Sequence, residues 1–167
     1  MRFTDVSAVW ERRPDIFKDL VTALCGRYEA EPPDVLLAIE ARAFLFTGAM
    51  ASHLGSRVVM ARKGPRLPRE VVSQDYVSGY EGGLVMGAHR DALGPGDRAL
   101  VVVVDDVLAM GWSALGAVRL VEKMGATCTG VGVAIEPGHL PGRSNVLAHG
   151  DHDLFAATTR GQWSAGQ

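Results

Sequence analysis

Two adjacent carboxylates, Asp105 and Asp106, follow four consecutive valines, Val101–Val104. Such a run is predicted to be a strand buried on both faces, as in a parallel sheet. The acids are then expected at the strand's carboxyl end, where they can accept hydrogen bonds from a vicinal diol or hold Mg²⁺, directly or through water. Beyond Val107-Leu108 comes a short loop, Ala109-Met-Gly-Trp-Ser113, and Ser113 is expected to cap a helix. In that helix Ala114, Ala117, Val118, Val121 and Met124 fall on one face, and Gly125 is a natural stop. Ligands of open α/β sheets bind at the carboxyl ends of strands, and helix N-termini favour phosphate. Diol acceptors, a loop and a helix start in this order suggest a site for a phosphorylated sugar. An acidic pair alone is more often simply solvated or the cap of a neighbouring turn; the context favours the site.

Other chemistry is weaker or missing. No Gly-x-x-x-x-Gly-Lys-Ser/Thr and no Gly-x-Gly-x-x-Gly occurs, which removes the nucleotide P-loop and the dinucleotide fingerprint. The five histidines form no tight ligand set, and His149-Gly-Asp-His152 reads as a solvated tail before it reads as a metal motif. The two cysteines, Cys25 and Cys128, lie in apolar contexts and are expected to be reduced core residues.

The elements that must position the acids can be read in order. Pro14 opens a helix whose stripe is Ile16, Phe17, Leu20, Val21, Leu24 and Cys25, and the run Glu29–Pro33 ends it. Asp34–Ile39 is a buried strand, Glu40–Ala43 its turn, Phe44–Leu54 a helix closed by Gly55, and Arg57–Ala61 a third strand. Alternating strands and helices imply right-handed crossovers and a parallel sheet. The segment 62–94 breaks the rhythm: a basic, turn-rich run, Arg62–Pro68, then weak strand signals at Val71, Val72, Tyr76 and Val77 among scattered glycines. It is expected to be an irregular or hairpin excursion with the function of a lid, or a merely flexible hairpin. Strands over Thr127–Ile135 and Leu154–Thr158 complete the pattern. At 167 residues, 47% of them hydrophobic, one α/β domain spanning 1–167 is expected. A net charge of −2 gives no reason to expect nucleic acid or an acidic membrane as partner. With no apolar run of membrane-span length and no signal-peptide pattern at Met1–Asp5, a cytoplasmic location is expected.

The order of motifs resembles the type I phosphoribosyltransferases, adenine phosphoribosyltransferases in particular. Their aliphatic run, acid pair and Ala-Thr-Gly-Gly-Thr loop match Val101–Val104, Asp105-Asp106 and Ala109–Ser113. Phe3-Thr-Asp5, Ile39-Glu-Ala-Arg-Ala-Phe44, Arg62-Lys-Gly-Pro-Arg-Leu-Pro68 and His89–Arg98 are similar to further family segments, in the same order. The resemblance implies a parallel sheet flanked by helices, with a hood at about 62–94. It also implies transfer of a phosphoribosyl group between phosphoribosyl pyrophosphate (PRPP) and a purine-like base, with release of pyrophosphate. Asp105 and Asp106 would hold the ribose hydroxyls and, through water, Mg²⁺. Ala109, Met110, Gly111, Trp112 and Ser113 would cradle the 5′-phosphate. Arg42, Lys63 and Arg66 would meet pyrophosphate, and Tyr80 would lie in the hood. A homodimer is implied because relatives commonly form one.

Departures accompany the match. Met110 and Trp112 stand where the family has Thr and Gly, Ala43 replaces the glycine after the arginine, and Gly79 stands where the hood carries a catalytic glutamate. Trp112 either packs as an apolar anchor or stacks on a ligand. The retained acids, Arg42 and the Lys63/Arg66 run favour an active enzyme, with altered selectivity or run toward nucleotide cleavage. Met110, Trp112 and Gly79 favour the alternative, a non-catalytic PRPP- or nucleotide-binding regulatory relative.

Overall fold

The computed structural model describes residues 11–64, 67–78, 81–103 and 108–160. Helix α1 (Pro14–Tyr28) starts on its proline and buries Leu20, Leu24, Cys25 and Tyr28. Strand β1 (Val35–Ile39) is buried along its whole length. Helix α2 (Ala43–Leu54) closes at Gly55, whose φ of 72° lets its N–H reach the Ala51 carbonyl. Then come β2 (Arg57–Lys63), β3 (Val71–Ser78), β4 (Glu81–His89), β5 (Arg98–Val103), α3 (Trp112–Lys123), β6 (Thr127–Pro137), α4 (Gly142–Leu147) and β7 (Asp153–Arg160). Seven strands form one sheet in the order β3-β4-β2-β1-β5-β6-β7.

Five of these strands are parallel, β2-β1-β5-β6-β7, as the strand–helix alternation requires. Alternation along β1 divides its side chains between two cores. Val35, Leu37 and Ile39 pack with Val59, Ala61 and the apolar face of α3. Leu36 and Ala38 pack with Leu100, Ala134, and Phe46 and Met50 of α2. Phe46 and Met50 are fully buried, each stabilising the fold by about 1.5–3 kcal/mol on area grounds.

Two details differ from the sequence reading, the start of β5 and the cap of α3, and the hairpin it allowed for is realised. Strand β5 begins at Arg98, ahead of the valine run, because Arg98 and Ala99 already pair with Thr127 and Cys128. The excursion after β2 is an antiparallel hairpin, with β4 pairing to β2 through Arg62↔Gly87 and Lys63↔Met86. The hairpin packs into the core: Tyr76 and Met86 are buried, and Gly116 of α3 lies so close to Tyr76 that a Cβ there would stand 2.7 Å from the Tyr76 Cβ. Lys123 Nζ donates to the Ser73 carbonyl at 2.7 Å, tying the other end of α3 to β3. Finally, Ser113 is not the cap of α3. Gly111 takes that position with φ 75°, and no side chain caps the helix. Among the described residues, no helix is long and apolar enough to cross a membrane.

Candidate functional site

The sheet changes direction between β1 and β5. From β1 the chain crosses over to β2; from β5 it crosses the opposite way, to β6 and β7. Because β1 and β5 are paired neighbours through Ala38↔Val102, their carboxyl ends lie side by side. Such a switch point opens a crevice at the carboxyl ends of the strands.

On the β1 side, Glu40 ties the turn to the neighbouring strand. Its Oε2 accepts the Lys63 backbone N–H at 2.7 Å, and its Oε1 pairs with Arg62 Nη2 at 3.0 Å. The Glu40 side chain is largely shielded from solvent, so charge-assisted bonds of this kind count for more than a surface pair. The Glu40 N–H also bonds the Ala61 carbonyl. The Glu40–Ala41 peptide is cis. Arg42 follows at the N-cap of α2 in helical conformation, half-buried. Thus Arg42 and the half-buried Lys63, distant in sequence, belong to one strapped corner.

On the β5 side, the described loop begins at Leu108, buried, with its N–H on the Ile135 carbonyl. Ala109 is half-buried, Met110 exposed and Gly111 buried; Trp112 and Ser113, half-buried, form the first turn of α3. Helix α4 backs this loop. A Cβ on Gly142 would run into the Leu108 carbonyl oxygen, and one on Gly111 would sit 2.6 Å from the Gly142 carbonyl oxygen. Asn145 Nδ2 donates to the Met110 carbonyl at 2.9 Å. Arg143 fixes α4 to the sheet: Nε and Nη2 donate to the buried Glu136 at 2.9 and 2.6 Å, and Nη1 donates to the Leu154 carbonyl at 3.0 Å. The Glu136 hydrogen bonds push the Arg143 pKa further up.

This frame resembles known proteins across nearly its whole length. The Phosphoribosyl transferase domain model matches residues 11–151. The chain belongs to the phosphoribosyltransferase family. An adenine phosphoribosyltransferase of Anaeromyxobacter dehalogenans is 40% identical over 141 residues, covering 84% of this chain and 79% of that relative. The crystal structure of the Rhodothermus marinus adenine phosphoribosyltransferase superposes with a TM-score of 0.84 at 31% identity, covering 96% of this chain and 88% of the other. The Giardia lamblia enzyme complexed with 9-deazaadenine gives 0.87 at 28% identity, covering 96% and 87%. The sequence-based assignment to this family and fold is borne out.

Of the residues singled out from the sequence, Arg42 and Lys63 lie at the strapped corner, and Ala109 to Ser113 open α3. Asp105, Asp106, Arg66, Gly79 and Tyr80 lie outside the described residues. The sequence reading missed the residues that hold these parts in place: Glu40 as a strap, and Gly142, Arg143 and Asn145 behind the loop. Helix α4 has only six residues, too few for a helical period to show. Its one sequence signal is the Pro141-Gly142 punctuation.

Proposed function

We propose that this chain transfers a phosphoribosyl group between PRPP and adenine, releasing pyrophosphate, as the names of its relatives suggest. The observation that carries the reading is the convergence of two strand-end segments at the switch point, one basic and strapped, the other a glycine-containing loop opening α3. In this reading the whole chain works as one phosphoribosyltransferase-like domain in the cytoplasm, with 62–94 as its hood. The 5′-phosphate rests on backbone N–H groups of 109–113 and the Ser113 hydroxyl. Asp105 and Asp106 accept hydrogen bonds from the ribose hydroxyls, while Arg42, Lys63 and Arg66 meet pyrophosphate. The base nitrogen attacks the anomeric carbon as the bond to pyrophosphate breaks. The protein's share is positioning and stabilisation of charge in a transition state of oxocarbenium character.

No cluster of three or more metal-ligating side chains occurs among the described residues. Mg²⁺ would arrive with the substrate, since this ion keeps several waters and takes one or two carboxylates beside phosphate oxygens. Asp105 and Asp106 are the residues to hold it, and it would supply neutralisation of the departing pyrophosphate.

A homodimer belongs to the same reading. Val58 and Met60 of β2 and Val85 of β4 share the sheet face on which α2 packs, and all three are exposed, as is Leu45 at the start of α2. A second copy would cover them. A single-chain mass by light scattering would remove the dimer.

The second reading, a PRPP- or nucleotide-binding relative without turnover, draws on Met110. An exposed thioether stands where relatives place a hydroxyl. Altered selectivity draws on the same residue and on Trp112. The deciding experiment is calorimetric titration with Mg²⁺–PRPP and nucleoside monophosphates, followed by pyrophosphate release with adenine and other bases. Binding with release supports transfer; binding without release selects the second reading. Silence to all ligands removes both. Asp105→Asn combined with Asp106→Asn should abolish sugar-phosphate binding without lowering the thermal midpoint, and unchanged binding would remove the acids from the site.

A further inference from the structure

Helix α4 does more than fill space behind the loop. The loop bends toward it with two carbonyls: Leu108, against which Gly142 packs without a side chain, and Met110, which accepts from Asn145 Nδ2 at 2.9 Å. In a trans peptide the C=O and the following N–H point in opposite directions. Among the described residues the cis peptide lies elsewhere, at Glu40–Ala41. Drawing the Met110 carbonyl toward α4 therefore turns the Gly111 N–H away from α4. Gly111 is the N-cap of α3 at φ 75°, and its own carbonyl accepts the Leu115 N–H at 2.9 Å, so the next peptide is committed to the helix. The orientation of the 110–111 peptide is fixed by Asn145 through the Met110 carbonyl.

We propose that Asn145 is a positioning residue for the 5′-phosphate. By holding the Met110 carbonyl it presents the Gly111 N–H, together with the free end of α3, to the anion. The inference rests on the reading of 109–113 as the phosphate loop. It gives that loop a control independent of its own side chains, which matters here because Met110 offers no hydroxyl. Arg143, locked between Glu136 and the Leu154 carbonyl, makes α4 a fixed platform from which the amide acts. Asn145 itself is only partly buried and exposed enough to be replaced without disturbing the core.

The test is calorimetry of Mg²⁺–PRPP, ribose 5-phosphate and pyrophosphate against the unaltered protein, Asn145→Ala and Asn145→Gln. A single hydrogen bond of ordinary worth predicts that Asn145→Ala weakens both sugar phosphates by about three- to tenfold. Pyrophosphate affinity and the thermal midpoint stay unchanged, and Asn145→Gln, which keeps the amide donor, recovers part of the loss. Full affinity for both sugar phosphates in Asn145→Ala overturns the inference. So does an equal loss on all three ligands, which a general structural defect would produce, or a Gln variant no better than Ala. If the unaltered protein binds neither sugar phosphate, the functional reading fails and the inference falls with it. Binding by the unaltered protein and by Asn145→Ala alike removes the inference alone.

Discussion

The two corners of the crevice are held by different physics. The turn after β1 is fixed by charge: Glu40 grips the Arg62 guanidinium and the Lys63 N–H, and Arg42 leaves the same turn. The loop after β5 is fixed by backbone: carbonyls of Leu108 and Gly142 lie where no Cβ fits, and one side-chain amide steadies Met110. On the proposed reading the first corner would meet a multiply charged leaving group with side-chain cations, which repel one another, and a nearby carboxylate offsets that repulsion. A corner that meets a single phosphate with N–H groups needs its peptides aimed, and close packing aims peptides better than long side chains do. The two corners should therefore fail differently.

The largest effect is expected from Gly142→Ala. The added methyl meets a backbone carbonyl that cannot swing aside, so overpacking should cost about 3 kcal/mol. Thermal unfolding should register it, and sugar-phosphate binding should fall with it while pyrophosphate binding is spared. A variant with the midpoint of the unaltered protein would show that the loop is not held by this packing. Next comes Glu40→Ala, which removes two charge-assisted bonds and leaves the Lys63 N–H without its carboxylate. A loss of about 2 kcal/mol is expected, with pyrophosphate weakened more than ribose 5-phosphate. Glu40→Gln should be milder because an acceptor remains. Equal losses on both ligands would erase the contrast between the corners.

The smallest effect lies far from both. Cys128 is at the start of β6, the end of the sheet opposite the crevice. Burial pushes its thiol pKa up to about 11 from an ordinary 9.0. The unfolded thiol ionises near its ordinary value while the folded one resists, so the stability is intact below pH 9.0 and is lost as pH rises toward 11. Burial of Cys25 and Tyr28 shifts both in the same direction and adds to the trend. Cys128→Ala should make the alkaline decline in thermal midpoint shallower. An unchanged decline would assign it to the other two groups. The relative affinities of the two corners should not move with this substitution.

The expectations that held were those with a long local signal. Five parallel strands and three helices were legible because each buries a continuous or helically spaced apolar set, as β1 and α3 do. The hairpin was only half legible: of its weak strand residues, Tyr76 is core because Gly116 of a distant helix makes room for it. Ser113 was misread as a cap because it has the right side chain, whereas Gly111 has the left-handed backbone that the turn against Gly142 requires. At the candidate site, Arg42, Lys63 and the 109–113 loop were singled out through their motifs, but their supports were not. Glu40 is adjacent in sequence to what it positions only on one side, and Asn145 lies 35 residues from the carbonyl it holds.

What the sequence determined by itself is the family, the alternation of strands and helices, and the chemical types brought to the strand ends. Those follow from local pattern: apolar period, acidic pairs, glycine and proline punctuation. Only the tertiary structure decided where the sheet reverses, that one face of the hairpin belongs to the core, and which residues aim the two corners. These depend on which carbonyl, guanidinium or missing Cβ lies within a few ångströms across the chain, and no local period records a contact between segments that meet only after folding.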